Sequence, residues 1–182
     1  MHHFLLGHWH SACTSLYEKS LLQGVSFPEG EVNEDYVFNY KIFKTLDKLY
    51  FVNKPLYHYL RRDDSNTGAP KTMKFLDWIQ HTQAILDDLR DNQSLKLEAE
   101  YQYLYSNIIL ANSALMTLNR MKSEKAEKLY DIVTSNLRSN KVMLRRNKYL
   151  STRNKWMGRT MAYAAGWYKV LVLTALKFKI VL

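Results

Sequence analysis

Apolar positions along the chain follow a mixed pattern up to about residue 70 and a helical one after it. Residues 11–22 (SACTSLYEKSLL) place Cys13, Leu16, Tyr17 and Leu21 at helical spacing, which predicts a short helix that Gly24 ends. The run VSFPEGEVNEDYVFNYKIFKTL predicts an extended piece, a turn at Pro28-Glu29-Gly30 and a helix from about Asn33 to about Leu46. Val37, Tyr40, Phe43 and Leu46 share the face that helix should bury. KLYFVNKPLYHYLRR is rich in Tyr, Phe and Val and is interrupted at Asn53-Lys54-Pro55. It predicts two short strands or one bent strand, with Pro55 at an edge or a bend. The polar stretch RRDDSNTGAP at 61–70 is a loop. Helical periodicity resumes from Lys71 through Phe75, Ile79, Leu86 and Leu89, and a second helix runs over about 95–121. Ser123 caps a third helix, with Glu124 and Glu127 in its first turn and Leu129, Ile132, Val133 and Leu137 as its apolar stripe. The expected class is therefore α+β and mostly helical: a mixed segment at 1–70, a helical region at 71–140 and a tail at 141–182.

Composition adds limits. A chain of 182 residues, 47% hydrophobic and 13% aromatic, can bury one good core but is short for two complete domains. These values exclude a disordered chain, and six Gly and three Pro exclude collagen-like or low-complexity sequence. A single cysteine, Cys13, allows no internal disulfide, so the expected compartment is the cytoplasm. With nothing near it to lower its pKa, Cys13 reads as a small buried hydrophobe. The start, MHHFLLGHWH, lacks the basic and apolar regions of a signal peptide, and no secretion signal is expected.

Charge divides the chain more sharply than hydropathy does. Residues 1–100 hold 11 Lys and Arg against 14 Asp and Glu, whereas residues 101–182 hold 15 against 3, the last acid being Asp131. Arg138, Lys141, Arg145, Arg146, Lys148, Arg153, Lys155 and Arg159 precede the apolar run TMAYAAGWYKVLVLTALKFKIVL. Lys169, Lys177 and Lys179 interrupt that run too often for a membrane span, which needs about 20 mostly uncharged residues. With Trp156, Trp167 and Tyr168 in it, the tail reads either as an interfacial helix on an anionic membrane surface or as a docking helix for a protein partner. The basic stretch matches no nucleic-acid module, so no nucleic-acid partner is expected.

Several residues are candidates for chemistry. Glu34 and Asp35 follow a turn and occupy the first turn of a helix, where a carboxylate is well placed as a general base and equally well placed to complement the helix dipole. Arg61 and Arg62 either pair with Asp63 and Asp64 on a solvated loop or hold an anion. His8 and His10 would point to one side of a strand, but apart from Cys13 no further ligand stands at metal-site spacing. A solvated or packing role follows, and no metal site is expected in the chain. Trp9 either packs on the first helix or offers a sugar platform.

The order A-C-T-S-L-Y-E-K-S-L-L, F-P-E-G, E-D-Y-V-F, K-P-L-Y-H-Y and R-x-x-S-x-T, over about residues 9–78, resembles the acceptor-side half of bacterial family 2 glycosyltransferases. Those enzymes have the GT-A fold and build cell-surface polysaccharides and related glycans. The resemblance implies the C-terminal part of a GT-A-like α/β domain followed by a helical tail. It implies that Asp35 is the base of an inverting sugar transfer, that Glu34 orients substrate or tunes Asp35, and that Arg62 and Ser65 lie in a site-covering segment. It also implies a nucleotide-sugar donor, a glycan or lipid-linked acceptor, a divalent metal (Mn or Mg) in the complete enzyme, and a peripheral place at the inner face of the cell membrane.

Two departures qualify it. The nine aspartates (35, 47, 63, 64, 77, 87, 88, 91 and 131) are never two apart, so the family's Asp-x-Asp metal site has no counterpart, and no Gly-rich phosphate loop is present. Thr14-Ser15 stands where the family often has a basic step. The expectation is a C-terminal piece that binds no metal and no nucleotide-sugar by itself, the alternative being a non-catalytic membrane-surface or partner-binding protein derived from such an enzyme.

Overall fold

The computed structural model describes residues 1–7, 10–58, 60 and 73–179. The chain divides into two compact units, Met1–Ala69 and Pro70–Leu182.

The first unit contains α1 (His2–Leu5) and α2 (Glu34–Phe43), with short 3-10 turns at Ala12–Thr14 and Lys19–Leu22. The helix expected over 11–22 is thus split in two, and Ser15 and Glu18 are extended. Local side-chain bonds compete with the helix here: Thr14 Oγ1 donates to Ser11 O at 3.2 Å and Ser20 Oγ to Glu18 Oε1 at 2.6 Å. Leu16 is fully exposed, and Cys13 lies on the surface with Sγ 2.9 Å from Ser11 Oγ, which corrects its reading as a buried hydrophobe. Gly24 takes a left-handed φ of 71° just beyond the second turn, as a stop residue should.

Helix α2 buries Tyr36, Phe38, Asn39, Tyr40 and Ile42. Of the face expected from spacing, Tyr40 alone is fully buried, while Val37, Phe43 and Leu46 are half-buried. A single-stripe argument fails because the helix is covered on more than one side. Phe4 stacks on Tyr36 (centroids 5.1 Å apart) and Phe43 (4.9 Å), while Phe27 stacks on Phe38 at 3.9 Å with Tyr17 edge-on to it.

The α+β expectation is overturned. The described residues contain helices and no strand, which does not fit a GT-A-like α/β domain. Residues 48–58 have the side chains of a strand but form no ladder. A strand satisfies its backbone only through a lateral neighbour, and the described residues offer none. The segment instead makes short turns, with Lys54 N donating to Val52 O and Leu56 N to Lys54 O, both at 2.9 Å. Its apolar side chains stay in solvent: Tyr50 is 85% exposed, Phe51 70% and Leu56 75%.

The second unit is a helical bundle of α3 (Leu76–Asp88), α4 (Lys96–Arg120), α5 (Glu124–Ser139), α6 (Lys141–Arg146) and α7 (Thr152–Lys177). Helix α4 is its centre, packed by α3, α5 and α7 and burying Ala99, Leu104, Ile108, Ala111 and Leu115. Ser123 caps α5 as expected, its hydroxyl accepting from Ala126 N at 3.3 Å. The buried face of α5 includes Leu129, Val133 and Leu137 with Ala126, Tyr130 and Thr134, whereas Ile132 sits at the surface.

Gly158 lets α7 approach closely, since a Cβ there would lie 2.8 Å from Leu144 Cδ1 and 2.9 Å from Ile108 Cδ1. Helix α7 breaks at Ala164 (φ −144°, ψ 54°). Carbonyls on either side of the break receive side-chain donors from α5, with Tyr130 Oη bonded to Ala165 O at 2.7 Å and Arg138 Nε to Ala162 O at 3.4 Å. Residues 141–177 are integral to the bundle: Asn147 Nδ2 donates to Leu97 O and Tyr168 Oη to Asn112 Oδ1, while Arg146 pairs with Glu100 and Lys169 with Glu127. Among the described residues no helix is long and apolar enough to cross a membrane.

Candidate functional site

The acidic pair opens α2 at the end of an irregular approach. Gly30, in the FPEG turn, has φ 75°, and Asn33, at the N-cap, has φ 66°, a left-handed conformation that asparagine tolerates far better than a β-branched residue. In that conformation the Asn33 side chain makes no cap bond, although its carbonyl accepts from Tyr36 N at 3.1 Å. The next two residues diverge: Glu34 is exposed and Asp35 is half-buried.

This difference sets the electrostatics. Partial burial raises the Asp35 carboxyl above the ordinary carboxylate value, and the charge of Glu34 adds to the rise. The backbone N–H of Ala12, and those of Asp35 and Tyr36, pull the other way without cancelling it. Asp35 is therefore a stronger proton acceptor than a solvated aspartate, held at a helix start beside the 12–14 turn.

A chain of hydrogen bonds holds that turn in place. Tyr17 Oη donates to Asn39 Oδ1 at 2.6 Å, Asn39 Nδ2 to His10 O at 2.8 Å, and His10 Nε2 to Phe4 O at 2.7 Å. The His10 ring also packs against Phe4 and Tyr36, with centroids 5.0 and 4.7 Å away, so it serves packing. This frame ties Phe4, His10 and Tyr17 to α2. Its partners lie 22 and 29 residues apart in two of the three bonds, and no local pattern signals them.

Trp9, Arg62 and Ser65 lie outside the described residues, as do His8, Tyr59, Arg61 and Thr67. Tyr57 and His58 are described and exposed. Of the expected site residues, then, Glu34 and Asp35 are the two with a position.

Among the described residues no group of three or more His, Cys, Asp or Glu side chains converges as a metal site needs. Glu34 and Asp35 are two carboxylates of unlike exposure, and among the described residues no third ligand stands with them. Comparison of the chain with protein-family models, with curated proteins and with solved structures found no match in any of the three.

Proposed function

We propose that residues 9–78 serve the acceptor side of an inverting glycosyltransferase and that Asp35 is its general base. The observation that carries this reading is the Asp35 carboxyl, half-buried at the start of α2 and more basic than usual, within the order of motifs from F-P-E-G to R-x-x-S-x-T. In the reaction, an acceptor hydroxyl attacks the anomeric carbon of a nucleotide-sugar as its proton passes to Asp35. The new glycosidic C–O bond forms while the bond to the nucleotide's phosphate oxygen breaks, and the nucleotide leaves with that electron pair. Exposed Glu34 raises the basicity of its neighbour through its charge. Arg62 and Ser65 are assigned to acceptor or phosphate oxygens and Trp9 to a sugar face, by residue type.

This reading carries no α/β fold with it. Donor binding, and any divalent cation that accompanies it, falls to residues outside this chain, because the sequence has no Asp-x-Asp and no Gly-rich phosphate loop. The acceptor is a glycan or a lipid-linked glycan, and the work belongs at the cytoplasmic face of the cell membrane.

The test supplies the missing half, by expressing the chain with the reading frame directly upstream and following transfer from labelled nucleotide-sugars. Asp35→Asn should lower turnover by about 10² or more, the scale of losing a positioned base, while Glu34→Gln has a milder effect. Near-full activity in a folded Asp35→Asn enzyme would overturn the assignment.

A further inference from the structure

We propose that the exposed face of α7 docks on an anionic phospholipid surface. The inference stands on the second unit alone and is independent of the glycosyltransferase reading.

Helix α7 has two apolar faces. One, formed by Met157, Met161, Ala162, Tyr168, Val172 and Ala175, is buried in the bundle. The other, formed by Trp156, Tyr163, Trp167, Val170 and Phe178, is more than half exposed at every position. Trp156 and Tyr163 are seven residues apart on the arm before the break at Ala164. Trp167, Val170 and Phe178 share helical spacing after it, so each arm carries its own outward apolar line. Two of the four tryptophans of the chain stand on this face.

Charge complementarity selects the occupant. Residues 141–179 hold ten Lys and Arg, and no acidic residue follows Asp131 in the sequence. Thr152, Lys155, Trp156, Arg159, Thr160 and Tyr163 line an open depression of about 580 Å³ on the first arm. Lys155, Arg159 and the Thr152 hydroxyl there suit a phosphate oxygen, the Thr160 hydroxyl donating instead to Trp156 O at 2.9 Å, and the flanking rings suit the glycerol and upper acyl region of a lipid. The Lys141 ammonium lies 4.3 Å above the Tyr163 ring, a further positive charge at its edge. Indole and phenol rings prefer the headgroup level of a bilayer, and lysines at the ends of a flat-lying helix extend their ammonium groups to the phosphates. A protein partner for this face would have to be strongly acidic, whereas an anionic leaflet supplies that charge over its whole area.

The experiment is co-sedimentation of the full chain with phosphatidylcholine vesicles, with and without phosphatidylglycerol. Binding should be at least about tenfold stronger to the anionic vesicles and should fall as salt rises. Lys155→Glu/Arg159→Glu should weaken it at least about tenfold, and Trp156→Ala/Trp167→Ala should weaken it too, with helix content by circular dichroism unchanged. If the charge-reversed protein loses helix, Lys155→Gln/Arg159→Gln takes its place, with a smaller loss expected. Millimolar inorganic phosphate should leave the chain on the vesicles. Release by phosphate would mark a free-anion site, and equal binding to both vesicle types or no effect of either substitution pair would remove the lipid face. Binding to an oligoribonucleotide that depends on the same cations but not on the tryptophans would assign the face to nucleic acid. Any of these four results overturns the proposal.

Discussion

Residues 96–139 and residues 48–58 are both rich in large apolar side chains, yet the first stretch buries Leu104, Ile108, Leu115, Leu129 and Leu137 while the second leaves Tyr50, Phe51 and Leu56 in solvent. The difference lies in what each backbone needs. A helix satisfies its own N–H and C=O groups and then requires only another apolar stripe, and α3, α4, α5 and α7 supply stripes to one another. A strand must borrow its hydrogen bonds from a neighbour, so residues with strand character and no neighbour keep their side chains exposed. The second unit thus holds a helical core built from its own elements, whereas the first concentrates its burial around α2 and leaves an apolar segment beside it unburied.

Substitutions can break or sharpen this contrast. Leu104→Ala, at a fully buried position of α4, should destabilise the helical bundle by about 2–5 kcal/mol in urea unfolding, while Leu56→Ala should change stability by less than about 0.5 kcal/mol. Comparable losses at the two positions would erase the distinction. Gly158→Val places branched carbon against Leu144 and Ile108, and overpacking there should cost about 1–3 kcal/mol, read in the same unfolding curves. A neutral result would mean that α7 does not press on α4 and α6. The smallest effect is expected at the α5 cap, where Ser123→Ala removes the bond to Ala126 N and should cost about 1 kcal/mol. Thermal denaturation followed by circular dichroism would detect it.

What was legible in the sequence follows the same division. The 3.6-residue period and Ser123 place α4 and α5 to within a residue or so, and Gly24 and Gly30 take the left-handed conformations that a stop and a turn require. The strand character expected of KLYFVNKPLYHYLRR forms no ladder over the described residues 48–58, because β-propensity describes fit to a neighbouring strand, and a local run of Tyr, Phe and Val says nothing about its presence. The helix expected over 11–22 failed where Ser11, Thr14 and Ser20 found local hydrogen bonds. The break at Ala164 coincides with donors 24 and 35 residues from the carbonyls they reach, and Gly166, two positions on, is a weak local signal that does not by itself place it. At the candidate site, the placement of Glu34 and Asp35 in a first turn was readable. The unequal burial that distinguishes them was not, because Asp35 meets the backbone of Ala12, a residue 23 positions away that no local pattern pairs with it.

That inequality carries the proposal made for Asp35, a proton acceptor rather than a charge that only complements a helix dipole. A raised folded-state pKa has a definite sign in stability. The favourable contribution is present below the unfolded-state pKa and is lost as pH rises through the folded-state value. Ionised Asp35 therefore burdens the first unit at neutral pH, and Asp35→Asn should leave that unit at least as stable there. The most direct measurement is an NMR titration of the Asp35 carboxyl carbon in the intact chain, with Asp35→Asn fixing the assignment. The account predicts a midpoint above the ordinary value of 3.8. A midpoint at or below it, with Asp35→Asn destabilising the first unit at neutral pH, would show a carboxylate that stabilises the helix start, and would contradict the account.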